Sequence, residues 1–481
     1  MHSEIKFGTD GWRGVIAKDF TFENISIVAL ATANQFLDDL DNNPNLKNLV
    51  YVGYDRRFLG KEFAERVTSI LANKDLNVCL YNQDVPTPMV SFDVKKNSAV
   101  GGIVITASHN PARFSGFKIK VSTGASASKD YTSKIEQRLK LIKEVDRSLC
   151  ENKGNFKIIP PSEDYVDFIK NTIDLDKLKS VSGTIIVDPM YGTGNGYVER
   201  LLSGKKLKVK TIRGIRDISF GGMNPEPMMP QLTPLCEEVV NEKAIMGLAT
   251  DGDADRVGAV DEKGNYINTH KILAMLLYYL VEKKKMFGSV VVTFSQSVLV
   301  KKMAAKYGLK IYEVPIGFKY IAEYMLKEDI LIGGEEANGI GSKLGFVPDR
   351  DGIFNSLLLF EAINSFGMKP SELITKLQNE FGAFYYDRVD LHISSPQMGK
   401  EFIEKVKTNP PKEVNGLKVK EVKDLDGTKL IFEDESWLLF RGSGTEPLLR
   451  IYSEALSQKN VKSNLEFGEK FFKEMSSFVS C

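Results

Sequence analysis

Short apolar strands alternate with amphipathic helices over most of this 481-residue chain. Strand-like runs at 48–54 and 76–81 flank a stretch with helical spacing at 60–73. This strand–helix–strand order predicts a largely parallel sheet that is covered by helices. The same order returns at 184–250 and 289–352 without obvious sequence identity, which is weak support for repeated domains.

The pattern changes near Tyr385, where strands such as 388–393 and 437–440 precede a helix over 460–478. These features predict a smaller α+β domain at the C-terminal end of the sequence. The whole chain is too long for a single hydrophobic core, and its length suggests about three or four domains.

Composition excludes several classes of function. The 64 Lys and Arg residues balance 63 Asp and Glu residues, so no basic excess is available to bind nucleic acid. The longest apolar run, Ile272 to Val281, is too short to cross a membrane, and no signal peptide is evident. The four cysteines lack CxxC spacing, which indicates neither a zinc site nor a disulfide framework. We expect a cytoplasmic protein that is a monomer or a homodimer.

The segment IVITASHNP, residues 103–111, is an apolar β-branched run that ends in small and polar residues. In open α/β sheets the ends of strands are where ligands bind, so Ser108 lies where a nucleophile would be expected. A capping serine in a polar loop is an equally good interpretation of this segment alone.

The segment DGDADR, residues 251–256, places Asp251, Asp253 and Asp255 at every second position of a loop. Such crowded carboxylates repel one another unless a cation lies among them, which predicts a Mg²⁺ site that a phosphate oxygen could complete. An EF-hand is excluded because Arg256 occupies the glycine position and the flanking residues resemble strands. A solvated acidic turn is the alternative.

Three glycine-rich loops complete the set of candidate motifs. In RGSGTEP, 441–447, backbone N–H groups and hydroxyls suit a phosphate, although a glycine turn in a hairpin explains this loop better when it is taken alone. In GGEEANG, 333–339, adjacent carboxylates could accept hydrogen bonds from sugar hydroxyls, or form an acidic surface turn. In FGTDGWRG, 7–14, the glycines indicate close backbone approach or a plain turn.

In this order, TASHNP, DGDADR, GEEANG and RGSGTEP resemble the motifs of the α-D-phosphohexomutase superfamily. FGTDGWRG is similar to its phosphoglucomutase/phosphomannomutase branch, and the resemblance extends from Phe7 to Arg450. It implies an α/β fold of four domains around a central cleft, with three related mixed-sheet domains and a smaller C-terminal α+β domain. The domains carrying the phosphoserine, metal, sugar and phosphate loops are then expected at 1–155, 156–262, 263–378 and 379–481.

The resemblance also implies roles for individual residues. Ser108 would be the phosphoserine and would hold Mg²⁺ together with Asp251, Asp253 and Asp255. The other catalytic residues implied are His109, Lys118, Lys319, Arg13 and Arg256. The substrate contacts implied are Thr9, Arg13, Arg256, Lys319, Glu335, Ala337, Asn338, Arg441, Ser443, Gly444, Thr445 and Arg450.

The implied activity is the interconversion of hexose 1-phosphate and hexose 6-phosphate, with hexose 1,6-bisphosphate as intermediate and activator. Lys118 and Lys319 are candidates for acid–base catalysis if surrounding cations depress their pKa values. Ala337 and Asn338 stand where the family commonly has Ser-Gly, and no histidine precedes Pro348. We therefore expect glucose first and mannose second, and a glucosamine or pentose phosphate less. A phosphatase and a non-catalytic sugar-phosphate-binding regulator are the competing hypotheses.

Overall fold

The computed structural model describes residues 5–151, 154–442 and 447–477. Four sheets organise these parts of the chain, and each sheet belongs to one region of the sequence. Their order along the chain follows the predicted order of three mixed α/β domains and a C-terminal α+β domain.

The first domain forms a six-stranded sheet. Its elements are β1 (Trp12–Val15), α1 (Phe22–Asn42), β2 (Lys47–Tyr54), α2 (Gly60–Ala72), β3 (Val78–Tyr81), α3 (Thr87–Lys96), β4 (Ala99–Ile105), β5 (Phe114–Val121), α4 (Lys129–Leu139) and β6 (Phe156–Ile159). The strand order is β1-β5-β4-β2-β3-β6, with β5 antiparallel to β4. Because β6 pairs with β3, this sheet extends past the predicted division at residue 155.

The second domain forms a five-stranded sheet in the order β11-β10-β9-β7-β8. Its elements are α5 (Glu163–Thr172), α6 (Leu175–Lys179), β7 (Gly183–Asp188), α7 (Tyr197–Leu202), β8 (Leu207–Thr211), α8 (Thr233–Asn241), β9 (Met246–Thr250), β10 (Val257–Val260) and β11 (Tyr266–Ile267). β11 pairs with β10, so this sheet also extends past the predicted division, at residue 262.

The third domain forms a four-stranded sheet in the order β13-β12-β14-β15. Its elements are α9 (Thr269–Glu282), β12 (Ser289–Thr293), α10 (Val298–Lys306), β13 (Ile311–Val314), α11 (Phe318–Lys327), β14 (Ile330–Gly334), β15 (Ile340–Ser342), α12 (Gly352–Phe366) and α13 (Pro370–Phe381). The apolar run 272–281 lies buried within α9. Among the helices of the described residues, none is long and apolar enough to cross a membrane.

The fourth domain is an antiparallel sheet in the order β16-β21-β20-β19-β18-β17. Its elements are β16 (Tyr385–His392), α14 (Pro396–Thr408), β17 (Glu413–Val414), β18 (Leu417–Lys423), β19 (Thr428–Phe432), β20 (Trp437–Gly442), β21 (Leu448–Ala455) and α15 (Gln458–Ser477). The third division was predicted at residue 378, which falls within α13. All three exact divisions stay predictions, although the four regions follow the predicted order.

The first three sheets contain the same four-strand unit. The unit reads β5-β4-β2-β3 in the first sheet, β10-β9-β7-β8 in the second and β15-β14-β12-β13 in the third. In each unit the third strand along the chain pairs parallel with the first strand. The fourth strand then turns back and pairs antiparallel with the third. The loop at that reversal carries Ser108, the three aspartates or Glu335, so the three motifs occupy equivalent places in the fold.

Buried apolar side chains join the first three domains more extensively than they join the fourth. One continuous cluster includes Phe92 of α3, Tyr165 of α5, and most of the apolar faces of α9 and α12. The fourth domain has a core of its own and meets the third through a small cluster that contains Phe294, Ile316, Trp437, Leu439 and Tyr452. The fourth domain is therefore the more weakly attached part of the described chain.

Candidate active site

Ser108 lies in the turn that follows β4, and its backbone has a φ of +51°, in the left-handed region. This conformation is uncommon for a residue other than glycine, and such strain is concentrated at functional sites. The Ser108 N–H donates to Thr106 Oγ1 at 2.9 Å, and Arg57 Nη2 donates to the Ser108 carbonyl at 2.6 Å. With only 1% of its surface exposed, Ser108 is held firmly in a site that excludes bulk water.

The aspartate loop between β9 and β10 meets the Ser108 loop directly. Ser108 Oγ donates to Asp251 Oδ2 at 2.7 Å. At Gly252 a Cβ atom would lie 2.6 Å from the Ser108 carbonyl oxygen, so only glycine permits this close approach. The prediction that these two motifs face the same site is therefore supported by a direct contact between them.

The three aspartates form a site that fits a divalent cation. They are buried, and each offers a carboxylate oxygen within 4.8 Å of the others. Burial and the charges of Asp253 and Asp255 raise the pKa of Asp251 well above its usual value. Within the described ranges, the Oδ1 atoms of Asp253 and Asp255 are buried without a hydrogen-bond partner. Three clustered carboxylates with unpartnered oxygens suit a hard ion such as Mg²⁺.

Lys118, on β5, lies among the carboxylates. Its Nζ is 2.8 Å from Asp253 Oδ2, 2.7 Å from Asp255 Oδ2 and 2.8 Å from Asp10 Oδ2. Burial by itself would lower the pKa of Lys118, but these three charges outweigh burial and raise it. Acid–base catalysis by Lys118 would require a lowered pKa, and its pKa is raised instead. The positive charge of Lys118 therefore suits it to electrostatic stabilisation.

The pKa of Lys319, in contrast, is shifted downward, as acid–base catalysis by a lysine requires. Burial, and then the neighbouring charge of Lys129, lower the pKa of Lys319. The residue lies in the first turn of α11, directly after Gly317 and Phe318. Thr9 of the N-terminal loop lies 3.7 Å from the Cβ position of Gly317, so the two predicted substrate-contacting segments adjoin.

Two arginines and a histidine surround Ser108. Arg13, on β1, donates to Asn110 Oδ1 within the Ser108 loop, and Arg256 Nε lies 3.9 Å from Asp251 Oδ2, the oxygen that accepts from Ser108 Oγ. His109 Nδ1 lies 3.3 Å from Ser108 Oγ. Burial and the charge of Arg256 hold the pKa of His109 well below its usual value, so the imidazole is neutral near pH 7. The positive charge beside Ser108 therefore comes from the arginines and Lys118.

Arg350 connects three domains and was not among the residues inferred from the sequence. Its Nη1 donates to Glu335 Oε1 at 3.1 Å, and its Nη2 donates to Asp255 Oδ2 at 2.8 Å and to Asp10 Oδ2 at 2.6 Å. The side chain is only 5% exposed. In the sequence, Arg350 is marked only by the charged segment 348–352 around it. Its partners Asp10 and Asp255 lie far away along the chain. Glu335 is thereby fixed relative to the metal site.

Asn338, a predicted sugar contact, also bonds to the second domain. Its Nδ2 donates to the Val257 carbonyl at 2.9 Å and to the Pro227 carbonyl at 3.2 Å, both in the second domain. Its backbone N–H donates to Thr269 Oγ1 at 3.1 Å, and its φ of +68° is one that asparagine tolerates. The amide thus joins the sugar loop to the second domain, while the neighbouring Ala337 is half-buried.

Asn338→Ala is expected to lower the free energy of unfolding by about 1–3 kcal/mol, because two buried carbonyls lose their donor. Urea unfolding measures this loss. Asn338→Gly is the matched control, because it tolerates the left-handed backbone yet also lacks the amide. Equal stability of wild type and the glycine variant would show that the amide bonds contribute nothing.

The predicted phosphate site lies at the end of β20 and on β21. Arg441 and Arg450 are cross-strand partners in these two strands. Like charges opposite one another repel, and an anion between them would relieve that repulsion. Arg450 Nε lies 3.5 Å from Asp390 Oδ2. The predicted contacts Ser443, Gly444 and Thr445 lie outside the described residues.

Comparison with known proteins agrees with this arrangement. Four domain families match: phosphoglucomutase/phosphomannomutase alpha/beta/alpha domain I at residues 4–146, domain II at 163–264, domain III at 268–381 and the C-terminal domain at 403–466. Together they follow the order of the four sheets.

Whole-length relatives give the same result. A "Phosphoglucomutase/phosphomannomutase" of Thermococcus kodakarensis is 32% identical over 97% of this chain and 98% of its own. A "Probable phosphoglucosamine mutase" of Methanosphaera stadtmanae is 31% identical, with 97% of each chain covered. The crystal structure of a "putative phosphomannomutase" from Thermus thermophilus has a TM-score of 0.86 at 34% identity, covering 98% of this chain and 100% of the other. The chain belongs to the phosphoglucomutase/phosphomannomutase family of phosphotransferases, within the α-D-phosphohexomutase superfamily.

Proposed function

We propose that this chain interconverts hexose 1-phosphates and hexose 6-phosphates, preferring glucose phosphates, through a phosphoserine at Ser108. The observation that carries the proposal is the 2.7 Å contact between Ser108 Oγ and Asp251 Oδ2. It places a nucleophilic hydroxyl against a buried cluster of three carboxylates, and phosphoryl transfer depends mainly on such positioning and charge.

The reaction consists of two transfers. In the first, the P–O bond to Ser108 Oγ breaks as a bond to the free sugar hydroxyl oxygen forms, which gives the 1,6-bisphosphate. The proton of that hydroxyl goes to a base, for which Lys319 is the better candidate because its pKa is lowered. The departing Ser108 Oγ takes up one proton and becomes a hydroxyl, and the second transfer reverses both proton movements. The bisphosphate then turns over in the cleft and returns its other phosphoryl group to Ser108. Added hexose 1,6-bisphosphate phosphorylates a free Ser108.

The charges around Ser108 support this chemistry. The side chains of Asp251, Asp253 and Asp255 would hold Mg²⁺, which supplies charge stabilisation to the transferring phosphoryl group when bound. Arg256 and Lys118 add fixed positive charge within the same buried cluster. Exclusion of water from Ser108 favours transfer to the sugar over hydrolysis of the phosphoserine.

The arginine pair of the fourth domain favours a mutase over a phosphatase. A mutase must hold the phosphate that is not reacting, whereas hydrolysis of one phosphate needs no second site. Arg441 and Arg450 suit that task, because guanidinium groups bind phosphate through paired hydrogen bonds. Binding at this remote site can also favour closure of the cleft.

Purified protein with Mg²⁺ and a trace of hexose 1,6-bisphosphate tests the proposal. The 1-phosphates of glucose, mannose and glucosamine are supplied separately, and the 6-phosphate and free phosphate are measured. We expect 6-phosphate as the main product, with the highest kcat/KM for glucose. Free phosphate as the main product would indicate a phosphatase, and no turnover would indicate a binding protein. A higher kcat/KM for glucosamine would overturn the preference for glucose, and the relative from Methanosphaera stadtmanae makes this comparison necessary.

A further inference from the structure

Asp426 lies in the turn between β18 and β19 and contacts two different domains through one oxygen. Its Oδ2 accepts a hydrogen bond from Arg441 Nε at 2.9 Å, within the fourth domain. The same oxygen accepts the backbone N–H of Ile316 at 2.8 Å, in the third domain. Ile316 precedes Lys319 by three residues in the loop that leads into α11. One carboxylate therefore joins the phosphate-site arginine to the lysine segment.

The position of Asp426 is set by tight backbone packing. The next residue, Gly427, has a φ of +98°, and a Cβ atom there would lie 2.3 Å from the Phe440 carbonyl oxygen. The same Cβ atom would lie 3.1 Å from Arg441 Cα. Only glycine lets the turn approach β20 this closely, which places the preceding carboxylate beside the Arg441 side chain.

The contact also lies at the boundary where the fourth domain is held. Ile316 belongs to the small apolar cluster shared by the third and fourth domains, together with Trp437 and Tyr452. The hydrogen bond from the Ile316 N–H to Asp426 adds a directional link to those non-directional contacts.

We infer that Asp426 is a positioning residue for phosphoryl transfer: it orients the Arg441 guanidinium toward the non-reacting phosphate and couples that contact to the Lys319 segment. The inference rests on the proposed mutase function. Because Asp426 engages Nε, the guanidinium plane is fixed before the phosphate arrives. Less side-chain entropy is then lost on binding. The link to Ile316 lets binding at the remote phosphate hold the lysine segment in place for the reacting end.

Arg450 is the reason why the Arg441 guanidinium needs to be held in place. Arg450 faces Arg441 across the two strands, and their charges repel in the absence of an anion. Asp426 holds Arg441 on one side, while Asp390 lies near Arg450 on the other. Removal of Asp426 leaves Arg441 free to turn away from its neighbour and from the phosphate between them.

Asp426→Ala and Asp426→Asn test the inference, with Asp424→Ala as the matched control in the same turn. Asp424 is 58% exposed and pairs only with Lys407 among the described residues. Calorimetry with glucose 1-phosphate, in the absence of divalent cations and of hexose 1,6-bisphosphate, measures binding with little turnover, and steady-state assays with Mg²⁺ give kcat and KM. We expect Asp426→Ala to weaken binding about tenfold or more and also to lower kcat, because both links are lost. Asp426→Asn should weaken binding less, since its amide oxygen can still accept the Ile316 N–H. Asp424→Ala should match wild type.

The outcomes separate the inference from the proposed function. Lack of turnover by the wild-type protein would contradict the proposed mutase function. The affinities of wild type and Asp426→Ala for glucose 1-phosphate would still show whether Asp426 positions Arg441. Affinity within twofold of wild type in Asp426→Ala would overturn the positioning role. A fall in the thermal midpoint of Asp426→Ala without a change in affinity would mean that Asp426 only stabilises the domain boundary.

Discussion

Ser108→Ala is expected to lower turnover of hexose 1-phosphate below about one thousandth of the wild-type rate, because the phosphoryl carrier is removed. The variant should also gain no phosphoryl group when it is incubated with hexose 1,6-bisphosphate, as intact mass spectrometry would detect. Only a small side chain changes, so the thermal midpoint should stay close to that of wild type.

Ser115→Ala is the matched control for this experiment. Ser115 is a fully buried serine at the start of β5, whose hydroxyl has no hydrogen-bond partner in the described part of the chain. It should retain both turnover and phosphorylation at Ser108. Near-normal turnover in Ser108→Ala would show that another residue carries the phosphoryl group.

Removal of divalent cations is expected to lower turnover by about 100-fold or more, and added Mg²⁺ should restore it. The physical reason is that three carboxylates are buried together: burial, and then the charges of Asp253 and Asp255, raise the pKa of Asp251. Mg²⁺ should therefore also raise the thermal midpoint of the wild-type protein, by binding the folded state alone. In Asp253→Asn both the restoration and the thermal shift should be largely lost.

Glu237→Gln is the control for Asp253→Asn, since Glu237 is an exposed acidic residue on α8 of the second domain, which also contains Asp253. It should respond to Mg²⁺ as wild type does. Full activity of the wild-type protein after chelation, with no thermal shift on adding Mg²⁺, would exclude the aspartate cluster as a metal site.

The elements of the fold were largely predictable because they depend on local patterning. Apolar runs at 48–54 and 76–81 predicted β2 and β3 closely, and helical spacing at 60–73 predicted α2. Two of the functional loops were also locally encoded. The alternating carboxylates at 251–255 and the abrupt end of the strand before Ser108 can be read without knowing their neighbours. What local patterning did not reveal is that these loops occupy equivalent positions in a repeated four-strand unit.

The tertiary structure changed the interpretation of three residues. Asn338 stays a predicted sugar contact, and its Nδ2 also donates to backbone carbonyls of the second domain. Lys118 was a candidate base, yet three carboxylates raise its pKa. Arg350 was not considered, although it joins Glu335 to the metal site. For each of the three residues, at least one partner lies in another domain.

The sequence by itself determined the alternation of strands and helices and the family, and it predicted which residues are the nucleophile and the metal ligands. These properties reside in short stretches whose residue types and spacing already define the chemistry. The tertiary structure alone decided which charges neutralise one another, which lysine has a lowered pKa and which carboxylate contacts Arg441. Electrostatic interactions depend on distance and burial, and both are created only when residues far apart in the chain pack together.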